Sequence, residues 1–260
     1  MAQGGGVVIV ASLLSDFGDG VRFIFEARES RAGTVDVGGL GEVGHLASNH
    51  FLVSSLAIAI AVAVALPLAL ALGHKGRGEF LAVGASNVGR AVPSLAIIAF
   101  FVAFLGTGFT NVCFALILLA IPPILTNTYV AVRQVDRDIV DAARGQGLSE
   151  AQIVRAIELP LALPTIFGGI RLSSVNVLAT AIIAPLAGYE TLGTPILALN
   201  VYGFAGAIGA AIVVALLTLM ADAGFAGVQR LTTPKGLKVV KGDRRQLRLR
   251  PPSRRSVQIP

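Results

Sequence analysis

Tryptophan is absent from this chain of 260 residues, and cysteine occurs once, at Cys113. One thiol excludes any intrachain disulfide, and its position inside an apolar run marks a small core residue. Histidine is nearly as scarce. His45, His50 and His74 are scattered, only the first two have a spacing a metal would use, and no metal or cofactor site is expected. Charged residues make up 14% of the chain against 54% hydrophobic, with a mean hydropathy of +0.77, which excludes an ordinary soluble domain. The short apolar stretch 7–14 has no Lys or Arg before it, so the basic part of a secretory leader is missing and no cleaved signal is expected. No internal repeat of fixed period stands out, which argues against a repeat-built carrier. The apolar runs hold no paired carboxylates, no nucleophile beside a base and no metal-type cluster, so no catalytic residue is expected.

Long apolar runs are what the chain has instead. Residues 51–72 are unbroken by charge, and at about 1.5 Å rise per helical residue they cross a hydrocarbon core of about 30 Å. Residues 80–105 read as one broken helical unit, with Ser86 and Asn87 in its weaker half and Gly106-Thr107-Gly108 closing it. A third run, 112–132, carries Pro122-Pro123 at its middle, where lost amide donors and ring clashes kink a helix. Two more follow at 161–187, interrupted by Pro164 and Arg171, and at 201–221. The expected fold is all-α and polytopic, with about five transmembrane helices.

Basic residues in short loops set the orientation, because they stay on the cytoplasmic side. Lys75 and Arg77 follow the first span, and Arg133, Arg137, Arg144 and Arg155 follow the third, while 106–111 and 188–200 contain neither Lys nor Arg. The N-terminus is therefore expected outside and the C-terminus inside. A further span at 7–25 would bury Asp16, Asp19 and Arg22 in hydrocarbon at a cost of several kcal/mol, so an interfacial segment is expected there. The domain plan is an extracytoplasmic or interfacial segment 1–48, a transmembrane domain 49–226 with a cytoplasmic loop 133–160, and a disordered basic tail 227–260. Arg230, Lys235, Lys238, Lys241, Arg244, Arg245, Arg248, Arg250, Arg254 and Arg255 stand against Asp243 alone in that tail. It either meets anionic headgroups, at about 1 kcal/mol per basic residue, or is a solubilising end that fixes topology. With no aromatic residues between the charges, nucleic acid is not an expected partner. Gly39-Leu40-Gly41-Glu42-Val43-Gly44 spells a nucleotide-loop pattern, but no strand is expected before it and it is not read as a nucleotide site.

The loop 133–160 is too polar for lipid and too patterned for a linker. Asp138, Asp141 and Arg144 alternate with Ile139, Val140, Ala142 and Ala143 in a short amphipathic helix that Gly145 and Gly147 can stop. Ser149 with Gln152 three residues on forms a capping-box pattern for a second short helix, expected to end at Pro160. The two make a compact elbow.

Within it, Asp141-Ala142-Ala143, Gly147, Ile157 and Leu159-Pro160 resemble the EAA loop of bacterial binding-protein-dependent ABC importer permeases, with Asp for the leading Glu. The resemblance covers about residues 45–226. Val92-Pro93-Ser94-Leu95-Ala96, Gly169-Ile170-Arg171 and Leu192-Gly193-Thr194-Pro195-Ile196 are similar to the osmoprotectant permeases for glycine betaine, carnitine and choline. The resemblance implies a type I ABC importer permease fold in the bacterial cytoplasmic (inner) membrane. It also implies that Asp141, Ala142, Ala143, Arg144, Gly147, Ile157, Leu159 and Pro160 couple the chain to a separate cytoplasmic ATPase dimer, which hydrolyses ATP in its stead. An extracytoplasmic solute-binding protein and a second permease, identical or related, complete the implied complex. An amino acid, a sulfonate or an inorganic anion is an alternative solute, and a carrier or channel uncoupled from ATP is an alternative mechanism. Aromatic faces hold quaternary ammonium ions best, so a chain without Trp and with three Tyr leaves solute selection to the binding protein.

Intramembrane polar residues are candidates for the translocation path. Thr126, Asn127 and Tyr129 follow the double proline, Asn176 and Thr180 lie one helical turn apart, and Tyr189 and Glu190 sit in an outer loop as a candidate gate. Interhelix hydrogen bonding is the competing role for Asn176 and Thr180. Arg171 is expected to reach the inner interface, with pairing to a carboxylate such as Asp141 or Glu158 as the alternative. Gly203, Gly206 and Gly209, with Ala205 and Ala210, have the small-residue spacing of close helix packing.

Overall fold

The computed structural model describes residues 4–33, 35–80, 84 and 92–232, with side chains from residue 15 onward. Ser86, Asn87 and the tail beyond residue 232 lie outside the described residues, as does most of the first half of the unit expected at 80–105.

Helix α1 (Gly4–Phe25) leads through a small antiparallel hairpin, β1 (Ala27–Glu29) and β2 (Asp36–Gly38), into the long α2 (Gly39–Lys75). Helices α3 (Ser94–Leu105) and α4 (Phe109–Arg133) follow, then the short α5 (Arg137–Gly145) and α6 (Glu150–Ile153) of the elbow. A π-helical turn (Val154–Glu158) runs into α7 (Leu159–Thr180), which tightens into a 3-10 segment (Ala181–Ala187). A one-turn α8 (Thr194–Leu197) precedes α9 (Leu199–Thr232), kinked at Gly203. Among the described residues, four helical stretches are long and apolar enough to cross a membrane: Gly39–Lys75, Phe109–Arg133, Glu150–Ala187 and Leu199–Thr232. The shorter apolar α3 is the second half of the unit expected at 80–105.

Helix α2 starts well before residue 51, because Val43, Leu46 and His50 are buried and hold its polar first turns on the bundle. Along it, Ala57, Ala61, Ala65 and Ala69 recur every fourth residue with no exposed surface, giving one smooth stripe. Small residues let helix backbones approach closely where lipid supplies no hydrophobic drive for association. Helix α2 packs chiefly on α4, and the core they share with α7 includes Leu116, Ile124 and Ile166.

Helix α1, expected from the sequence as an interfacial segment, packs on α9. A Cβ on Gly209 would stand 2.6 Å from the Gly20 carbonyl oxygen, so the crossing depends on the missing side chains. Phe23 fills the next turn, edge-on to Tyr202.

The two ends of the bundle differ in chemistry. At one end lie Lys75, Arg133 and the elbow, with Gly76 against the Arg133 guanidinium and Gln229 donating to the Pro164 carbonyl. At the other, Asn49 donates to the Glu190 carbonyl and the Gly108 amide to the Ala187 carbonyl.

Candidate functional site

The elbow is built from its caps upward. Asp136 caps α5 by accepting the Asp138 amide at 3.0 Å, which satisfies one of the free donors of a helix start. The helix ends at Gly145, and Gly147 then takes φ +85°, a left-handed conformation that residues with a Cβ rarely adopt. Ser149 and Gln152 close the expected capping box around α6. Pro160, expected to stop the second short helix, instead sits in the first turn of α7, where a missing amide donor costs nothing.

One face of α5 turns inward. Val140 and Ala143 join Val135 and Ile153 in a small apolar core of the elbow's own, with Leu148, Ile157 and Leu161 packed around it. Asp138, Ile139, Asp141, Ala142 and Gly147 remain exposed. Between Ile139, Ala142, Gln146, Leu148 and Ile157 lies a shallow concavity of about 420 Å³. Of the coupling residues expected from sequence, Asp141, Ala142 and Gly147 are therefore on the surface, while Ala143 is inside and Ile157, Leu159 and Pro160 are half-buried. Arg144 is not a free surface charge. It holds Glu150 through Nε at 2.9 Å and Nη2 at 3.1 Å, and Asp141 through Nη1 at 2.7 Å. The Glu150 hydrogen bond and charge, with a smaller contribution from Asp141, hold the Arg144 guanidinium above its ordinary pKa.

Contacts that no local pattern announced tie this elbow to the bundle. His74, in the last turn of α2, places Nδ1 2.8 Å from Glu158 Oε2 and Nε2 2.9 Å from Glu150 Oε2. Arg137 approaches the other Glu158 oxygen at 3.5 Å.

A second site lies in the membrane domain. A cavity of about 670 Å³ opens between α3, α4 and α7, and Ser94, Thr126, Asn127, Asn176 and Thr180 supply its polar lining. Its other walls are Pro122, Pro123 and apolar side chains, with no charged and no aromatic residue among those described. Four of the path candidates thus share one cavity. Gly169 brings α7 against Asn127, whose Nδ2 donates to the Pro123 carbonyl at 2.8 Å. Tyr129 does not reach this cavity. Its ring points into the main core at 4% exposure. Tyr189 and Glu190 are at the other end, Tyr189 edge-on to Phe109 and Glu190 exposed.

Two further expectations change. Arg171 pairs with neither Asp141 nor Glu158. It makes a two-pronged contact with Asp222 of α9, both legs 2.8 Å, and donates to Gln229. The glycine-rich 39–44 stretch does follow a short strand, β2, contrary to expectation. Glu42 accepts the Gly38 amide and the Tyr202 hydroxyl, so a carboxylate already occupies the helix start where an anion would bind.

Long apolar helices, a polar cavity between three of them and a charged elbow at one end of the bundle define a multi-pass helical membrane protein. Residues 57–234 match the model of the binding-protein-dependent transport system inner membrane component family, and the chain belongs to that family. It is similar to the glycine betaine/carnitine/choline transport system permease protein OpuCB of Bacillus subtilis, 35% identical over 202 residues, or 77% of this chain and 93% of the relative. The carnitine transport permease protein OpuCB of Listeria monocytogenes is 38% identical over 157 residues, 60% of this chain and 72% of the relative. Among solved structures, an inward-facing conformation of the MetNI methionine ABC transporter has a chain of the same fold. It matches with a TM-score of 0.65 at 17% identity, over 75% of this chain and 98% of that one. The protein is the membrane-spanning permease subunit of an ABC importer.

Proposed function

We propose that this permease imports a small osmoprotectant, glycine betaine, carnitine or choline, by alternating access driven by a separate ATPase dimer. The observation that carries the solute assignment is the identity of 35% or more to two relatives named for transport of these solutes. The cavity agrees with it. Uncharged amide and hydroxyl groups line it without charged side chains or aromatic faces, which suits brief passage of a small polar solute and leaves selection to an extracytoplasmic binding protein.

In this reading the concavity and exposed face of α5 dock on the ATPase, and Asp141, Ala142 and Gly147 form the contact. The basic end of the bundle faces the cytoplasm, as retention of Lys and Arg there requires. A second permease, the same chain or a related one, closes the open side of the cavity and presents the second elbow that two ATPases need. Tyr189 and Glu190 belong to the outer mouth.

The test is reconstitution of the permease with its ATPase and binding protein in proteoliposomes. ATP inside, with no ion gradient, is expected to drive uptake of at least one of radiolabelled glycine betaine, carnitine and choline. Uptake that persists without ATP and follows an ion gradient would replace this reading with that of a carrier.

A further inference from the structure

Neither docking nor the cavity uses Glu158. Among the described residues it is the one fully buried carboxylate, and burial of such a group is costly unless fixed partners surround it. Its partners come from two other elements. His74 closes α2, Arg137 opens α5, and Glu158 itself stands at the base of α7.

The His74 ring has a carboxylate on each side. Beyond its second nitrogen lies Glu150 at the start of α6, which holds Arg144 in the last turn of α5, which in turn holds Asp141 on the exposed face. Both ends of α5 are thereby tied to one imidazole of α2. The apolar core of the elbow contains no α2 side chain. Between α2 and α6 there is instead a cleft of about 380 Å³, flanked by Pro67, Leu70 and Ala71 on one side and Ala151 and Val154 on the other. Polar contacts of His74 with Glu150 and Glu158, rather than close apolar packing, bridge that cleft.

We propose that His74 and Glu158 are positioning residues of the import cycle, locking the elbow to the cytoplasmic end of α2 so that a displacement of α5 reaches α2 and α7 together. This rests on the reading that α5 docks on the ATPase. The Arg137 leg is the longest, at 3.5 Å, and neither Glu158 Oε1 nor Arg137 Nη2 has a hydrogen bond within the protein. It is the leg with room to shorten when the elbow shifts.

The experiment compares Glu158→Gln, His74→Ala and His74→Lys with the unaltered permease in the reconstituted complex. It uses whichever of glycine betaine, carnitine and choline the unaltered complex takes up best, and reads ATP hydrolysed, solute taken up and ATPase retained on the permease. All three variants are expected to retain the ATPase. Glu158→Gln and His74→Ala are expected to hydrolyse ATP while moving about tenfold less solute per ATP, within the usual range of coupling between sites. His74→Lys places hydrogen-bond donors between the two carboxylates and is expected to recover most of that ratio. An unchanged ratio in the first two variants, an equal defect in Lys and Ala, or a loss of uptake that only tracks loss of protein from the membrane overturns the proposal. Retention of the ATPase by the unaltered chain reports separately on the docking reading, so the two ideas fail on different measurements.

Discussion

Arg171 carries a charge through the bundle with a partner that sequence distance concealed. Asp222 and Gln229 lie far along the chain on α9, and only the packing of α7 on α9 brings them within 3.3 Å of the guanidinium. The same holds for His74 and Glu158, 84 residues apart. Charged residues announce their cost in a sequence but not who offsets it. Gly147 was legible, by contrast, because the need for a left-handed residue after a short helix is local. Gly147→Asp forces a Cβ into that conformation at about 1–2 kcal/mol, and Ala143→Glu drives a carboxylate into the small core beside Val140 and Ile153. Both variants are expected to reach the membrane in normal amount, by immunoblot of the membrane fraction, yet to retain less ATPase on purification and to lose uptake. Normal uptake in both would remove α5 as the docking element.

At the scale of an element, α2 was half legible. Its apolar run from 51 gave a span, but a helix apolar on every side has no face to read, and the alanine stripe at 57, 61, 65 and 69 emerges only from burial. The first turns were missed because Gly39, Gly41 and Gly44 lack helix propensity, and tertiary packing through Val43 and Leu46 overrides it. Pro160 was misjudged for a related reason, since a proline ends one helix and begins another with equal ease. The first helix of the elbow and the capping box of the second were read correctly from a handful of adjacent residues. If the stripe sets the separation of α2 from its neighbours, Ala61→Leu overpacks the contact at about 1–3 kcal/mol. The purified variant in detergent is expected to unfold at a clearly lower temperature than the parent, whereas the exposed Val64→Leu is expected to match it.

At the scale of the molecule, the multi-pass helical character followed from composition, with four described stretches long enough to cross a membrane where about five spans were expected, and the shared cavity followed from polar residues spaced on two helical faces. The placement of α1 against α9 did not, because Gly20 and Gly209 meet only in three dimensions. The charge difference between the two ends of the bundle gives a topology test. In a Cys113→Ala background, a cysteine at exposed Ala142 is expected to react with an impermeant maleimide only in inside-out vesicles, and one at exposed Glu190 only in right-side-out cells. The opposite pattern would invert the molecule and remove the docking reading with it. The separate interior of the elbow also has a bearing on how such proteins diversify. Because Val135, Val140, Ala143 and Ile153 pack on one another, the segment is expected to fold as a unit when grafted into another permease, and, if α5 docks on the ATPase, to carry the choice of motor with it where the recipient offers an imidazole at the foot of α2.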